Sequence, residues 1–283
     1  MSASSIVDSH VHLWNPKNFC YPWLDALPAL NRPFLPENYA AASSTVDVGK
    51  FIFVECGCEP AQSLAEVDWA SALAKQEPRL RGIVAQASLE KGGAVRDDLA
   101  QLAQRPLVKG VRRNLQGESA ADFCLRPEFL AGVQHLAEFG FTFDLCIRHE
   151  QLRSVAELVR RVPRVVFVLD HFGKPEVRHG KIEPWATDLK KLTALPNVVC
   201  KISGLTTEAD WQKWQPADLE FYFNQAWECF GPDRVLFGSD WPVATLATDY
   251  KRWIETVQSF VSSTKEIVPT KLFKTNAERI YRV

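Results

Sequence analysis

The sequence predicts a single-domain α/β fold, a (β/α)8 TIM barrel spanning residues 1–283. Three observations carry that prediction. Eight short apolar runs, rich in β-branched and aromatic residues, recur along the chain. Segments with apolar residues at helical spacing lie between them. Ionisable residues gather just after the runs, at the strand ends where such barrels carry their chemistry.

In chain order the strands are expected at residues 6–8, 50–55 (KFIFVE), 81–87 (RGIVAQA), 107–111 (LVKGV), 141–147 (FTFDLCI), 165–169 (VVFVL), 198–202 (VVCKI) and 234–238 (RVLFG). Short continuous apolar strands alternating with helices imply a parallel sheet covered on its outer face. The 63–76 segment sets Leu64, Val67, Ala70 and Leu73 on one helical face, and 151–162 repeats the pattern with Leu152, Val155, Leu158, Val159 and Val162. The 126–140 segment opens on Pro127, suited to a first turn, and stops at Gly140. Segments 249–261 and 269–281 also read as helices. A doubly wound open sheet is the rival, but no Gly-rich dinucleotide fingerprint follows a strand.

Composition narrows the function classes. A net charge of -1 without a Lys/Arg run gives no reason to expect a nucleic-acid or membrane-surface partner. No apolar run approaches the ~20 residues of a membrane span. The first residues, MSASSIVDSH, lack the basic and apolar regions of a signal peptide. Seven widely spaced cysteines suit free thiols in a reducing compartment, so a cytoplasmic location is expected. Cys56-x-Cys58 has no second pair to complete a structural zinc site and is read as non-functional. Oligomeric state is not readable, because no apolar stripe stands apart from core patterning.

The strand ends carry the candidate site. Side chains two apart on a strand share a face, so His10 and His12 can lean onto one metal ion. Strand 4 ends in Arg112-Arg113, strand 6 in Asp170, His171 and Lys174, strand 7 in Lys201 and Ser203, and strand 8 in Ser239, Asp240 and Trp241. Barrel closure makes strand 8 the neighbour of strand 1, which lets His10, His12, His171 and Asp240 converge on one point. Three neutral imidazoles and a carboxylate suit one divalent ion, zinc or a similar borderline metal. Asp170 is read as capping the segment after it, and His149 as belonging to the following helix. His135 and His179 are read as surface residues.

The stretches DSHVHLW, VLDHFGKP, VVCKISGLTTEADW and FGSDWPV resemble the amidohydrolase superfamily, and within it the subgroup of sugar-lactone hydrolases acting on L-fuconolactone or L-rhamnonolactone. The resemblance covers residues 7 to about 250. It implies hydrolysis of a small-molecule lactone. His10, His12, His171 and Asp240 then take the positions of the metal site, and Asp240 that of the residue activating water. Strand 4 lacks the lysine or glutamate that bridges two metals in many relatives, so one ion at most is expected. On that reading Asp240, His171 and Arg112 are catalytic, while Arg113, Lys201, Trp14 and Trp241 bind substrate. A metal-free mechanism uses the same residues, with imidazoles and guanidinium groups polarising the carbonyl. Two other activities remain on the same barrel: decarboxylation of an aromatic or enol acid, and opening of a pyrone or dicarboxylate lactone.

Overall fold

The computed structural model describes residues 5–264 and 268–283. Its centre is one sheet of eight parallel strands in sequence order: β1 Ile6–Val11, β2 Val48–Val54, β3 Leu80–Gln86, β4 Val108–Arg112, β5 Thr142–Leu145, β6 Phe167–Leu169, β7 Val198–Ile202 and β8 Val235–Phe237. Each coincides with one of the expected runs, within a few residues at either end. The cylinder closes through the residues after β8. Val11 bridges Trp241, the Asp240 amide donates to His10 O at 2.9 Å, and the His12 amide donates to Trp241 O at 2.8 Å.

Helices α1 Pro36–Ala42, α2 Ser63–Leu73, α3 Val95–Ala103, α4 Pro127–Phe139, α5 Leu152–Arg161, α6 Trp185–Thr193, α7 Pro216–Phe230, α8 Tyr250–Ser263 and α9 Asn276–Tyr281 follow the strands. α4 starts on its proline and ends at Gly140 in the left-handed region (φ 65), as the sequence predicts. Helices α1, α3, α6 and α7 occupy connections where the barrel pattern calls for a helix but the sequence gives no bounds for one. The expected helix over 269–281 is interrupted by a π-helical turn, Lys271–Thr275, before α9. No helix among the described residues is long and apolar enough to cross a membrane.

Two packed regions position the site. The larger lies between the strands and the helical layer. The smaller fills the bottom of the barrel, where Val7, Ile52, Val54, Val84, Val168, Val199 and Leu236 meet Ala277, Ile280 and Tyr281 of α9. The C-terminal helix therefore plugs the end of the cylinder opposite the loops that carry chemistry. Above this apolar floor the inward-facing residues become polar, and there the candidate site begins.

Candidate active site

Asp8 is the clamp that sets the geometry. It is buried and accepts hydrogen bonds from the Ser239 amide (2.8 Å), Tyr39 Oη (3.0 Å) and Tyr250 Oη (3.1 Å). These contacts tie β1 to the segment after β8 and to two surrounding helices. Asp240 follows directly, with φ 58, and His171 and Phe172 also have positive φ (52 and 59). Left-handed backbone costs a residue with a Cβ about 1–2 kcal/mol, so packing must hold these turns. Gly204 is the clearest example: a Cβ there would overlap the His171 ring, and its own φ is +61.

The four residues predicted to converge do so. His10 Nε2 and His12 Nε2 lie 3.1 Å apart. Asp240 Oδ1 lies 3.7 Å from His10 Nε2, 3.6 Å from His12 Nε2 and 3.9 Å from His171 Nε2. His12 Nδ1 is 2.8 Å from Val54 O. A carbonyl can only accept, so the proton of neutral His12 sits on Nδ1 and Nε2 turns a lone pair to the site. Burial lowers the pKa of His10 well below the usual value and takes His171 down to about 4, so both rings are neutral at pH 7. Burial works against a charge on Asp240, yet His171, His12 and His10 hold its carboxyl well below the ordinary range.

His10, His12 and Asp240 are disposed to hold one ion. Ligand bonds of about 2.0–2.2 Å set donor atoms roughly 3.0–3.5 Å apart around a tetrahedral ion, close to the separations above. The proton bookkeeping agrees. Among the described residues Asp170 Oδ1 is the buried side-chain polar atom without a hydrogen bond of good geometry, although Lys201 Nζ approaches it to 3.1 Å. It faces His10 Nδ1 at 3.4 Å. A proton on Nδ1 would serve it and free His10 Nε2 as a second lone pair beside that of His12, an arrangement that needs a cation between them. The alternative places the proton on His10 Nε2, which then donates to His12, while Lys201 Nζ donates to His10 Nδ1 at 3.1 Å.

The cavity over these groups has a volume of about 350 Å³ and is lined by His12, His171, Asp240, Arg112, Lys174, Asn114 and Gln116, with Trp23, Leu27 and Val243 forming an apolar side. Arg112 is placed by Glu55, whose Oε1 and backbone oxygen accept from Nε (2.5 Å) and Nη2 (2.6 Å), and by Asp170 at 3.4 Å. Its remaining N–H groups are available to a ligand.

The geometry places several of the expected site residues away from the cavity. Arg113 succeeds an inward residue and turns outward, where Glu90 (3.1 Å) and Glu118 (2.6 Å) hold its guanidinium; it does not line the cavity. Trp14 bridges Phe34 and is fully buried, its indole donating to Arg32 O at 2.9 Å. Trp241 packs on Phe34 and Tyr39 with centroids 5.5 and 5.4 Å away. Trp23 supplies the aromatic part of the cavity wall, and its indole donates to Cys56 O at 2.7 Å. Lys201 lies below the site with no solvent exposure, bound to Asp144 (2.6 Å) and Asp170 (3.1 Å). Asp170 is likewise an interior residue rather than a cap. Glu55, Asp144 and Tyr281 were not singled out as site residues, although Tyr281 Oη donates to Asp144 at 2.7 Å.

Comparison with known proteins follows the same outline. A family model described as amidohydrolase matches residues 7–283. An L-fucono-1,5-lactonase of Burkholderia multivorans is 32% identical over 275 residues, covering 88% of each chain. An L-fucono-1,5-lactonase of Burkholderia ambifaria is 29% identical over 256 residues, covering 88% of this chain and 85% of that one. The crystal structure of a Burkholderia multivorans amidohydrolase with bound zinc superposes with a TM-score of 0.87 at 30% identity, covering 99% of this chain and all of that one.

Proposed function

This chain belongs to the amidohydrolase family, and from that premise we propose that it hydrolyses the lactone ring of a small neutral sugar acid, L-fucono-1,5-lactone or a close relative. The observation that carries the reading is Asp240, an ionised carboxylate ringed by three imidazoles at the base of a compact cavity. At about 350 Å³ the cavity is at the small end of ligand pockets, which run roughly 300–1,000 Å³. Both cations on its wall have a carboxylate nearby, Arg112 with Glu55 and Lys174 with Glu208. A neutral lactone therefore suits it better than a dicarboxylate, which would need uncompensated positive charge. The Trp23, Leu27 and Val243 side offers a place for the methyl group of a deoxy sugar.

Asp240 takes the proton of an attacking water and returns it to the ring oxygen as the ester bond breaks, the double role open to a positioned carboxylate. Arg112 directs its free N–H groups to the carbonyl oxygen as negative charge develops there. His171 packs beside Asp240, with its Nδ1 bonded to Ser203 Oγ at 2.9 Å, which fixes the ring. We assign His10, His12 and Asp240, with His171 adjacent, to a single zinc ion. When bound, the ion would supply Lewis-acid polarisation and lower the pKa of water. The free state of all seven cysteines supports a cytoplasmic enzyme.

The test is acid release from a panel of L- and D-sugar 1,4- and 1,5-lactones, measured before and after chelation with metal content assayed on the same sample. Acid production lost on chelation and restored by zinc is expected, and Asp240→Asn should abolish it with the fold intact. No acid from any lactone, or full activity in Asp240→Asn, would overturn the proposal.

A further inference from the structure

Lys174 belongs to none of the groups used above except as part of the wall. It sits in a run of left-handed backbone from His171 to Lys174 (φ 52, 59, 70 and 51) that brings both its side chain and that of His171 to the cavity. The turn is locked from several sides. The Lys174 amide donates to His171 O at 2.8 Å, Trp185 donates to Phe172 O at 2.7 Å, and His149 Nδ1 donates to Lys174 O at 3.2 Å. Strained backbone kept in place by such contacts marks a position where the side chain's direction matters.

Glu208 balances the charge of the ammonium without accepting a hydrogen bond from it. Only 18% of the side chain is exposed, and the nearest carboxylate oxygen, Glu208 Oε1, is 3.6 Å away, beyond a hydrogen bond. Among the described residues Nζ has no hydrogen-bond partner, whereas Arg112 shares its donors with Glu55 and Lys201 lies beneath the site. An ammonium carries three donors. Largely withdrawn from bulk water and aimed into a cavity, these donors are arranged for an oxygen on a ligand.

We propose that Lys174 is a specificity-determining residue whose ammonium donates to a hydroxyl oxygen of the bound lactone. This rests on the lactonase reading above. Asn114 and Gln116 share that polar side of the cavity, and Trp23, Leu27 and Val243 take the apolar edge of the ring. A site built to bond a hydroxyl discriminates strongly against an analogue lacking it, because the buried donor is then left unpaired.

The experiment measures kcat and KM of wild type, Lys174→Met and Lys174→Arg on L-fucono-1,5-lactone and its monodeoxy analogues, with circular dichroism confirming the fold of each variant. In Lys174→Met, kcat/KM for the parent lactone should fall between about tenfold and a hundredfold, mostly through KM. One monodeoxy analogue should be poor for wild type and lose less than about twofold more on mutation. Lys174→Arg should recover part of the loss. Equal losses across all analogues, or no loss, would overturn the assignment while leaving the lactonase intact. Failure of wild type to open any of these lactones would remove the lactonase reading and this assignment together.

Discussion

Replacing Lys201 by methionine separates the two roles the residue could have. Its Nζ lies 2.6 Å from Asp144, 3.1 Å from Asp170 and 3.1 Å from His10 Nδ1, and all four residues are without solvent exposure. Burial lowers the pKa of an ammonium, but Asp144 and Asp170 more than offset it, and Lys201 is held above its ordinary value. Methionine keeps the stem and removes the charge, leaving Asp144 with only hydrogen bonds and Asp170 with the more distant Arg112 guanidinium at 3.4 Å. Removing one partner of a buried pair costs about 3–5 kcal/mol. At roughly 2 °C per kcal/mol for a chain of this size, the melting midpoint should fall by about 6–10 °C. The assay is thermal denaturation followed by circular dichroism on chelated protein at pH 7. The Lys201→Met, Asp144→Asn double variant should lose less than the sum of the singles by at least about 1 kcal/mol, since neutralising Asp144 removes part of the stranded charge. A midpoint within about 2 °C of wild type, combined with a raised KM, would refute this argument and return Lys201 to the substrate.

The two arginines should behave oppositely. Arg113→Ala breaks part-exposed ion pairs and is expected to cost less than about 1 kcal/mol, with kcat/KM within about twofold, whereas Arg112→Ala should lower kcat/KM by about a hundredfold or more; a tenfold loss in Arg113→Ala would contradict the outward placement of its side chain. In metal-free protein, His171 resists protonation down to about 4, while in the unfolded chain it takes a proton near 6.5. Its contribution to stability is therefore fully present above about pH 6.5 and is lost as pH falls toward 4, at about 1.4 kcal/mol per unit and up to about 3 kcal/mol. Urea midpoints at several pH values should show that extra slope in wild type and its loss in His171→Asn.

The parts of the site that were readable in the sequence are those where residue type changes abruptly at a strand end. His10 and His12 stand out after an apolar pair, and His171 and Asp240 after runs as apolar as VVFVL and RVLFG, so barrel topology alone brings them together. Lys201 and Asp144 were harder for a physical reason. Both lie inside their strands, and an inward-facing residue in the middle of a strand meets the interior of the cylinder, while one at the end meets the cavity. The difference is one layer of side chains, set by strand tilt and stagger, which no local pattern records. Tyr281 is still less visible, because its partner Asp144 lies 137 residues away and the link depends on α9 closing the barrel floor. The tryptophans expected to bind substrate are a different case. Trp14 and Trp241 stand close in sequence to His12 and Asp240, but Trp14 leaves β1 to bridge Phe34 and Trp241 follows the left-handed backbone of Asp240, and both rings pack in the outer core. Trp23 reaches the cavity because its loop folds back over the strand 2 end, where its indole bonds Cys56 O. Lys174 sits three residues from His171 yet shares its cavity, since successive left-handed residues reverse the chain within one turn. Proximity to a catalytic residue in sequence is thus informative here only when the backbone conformation between them is known.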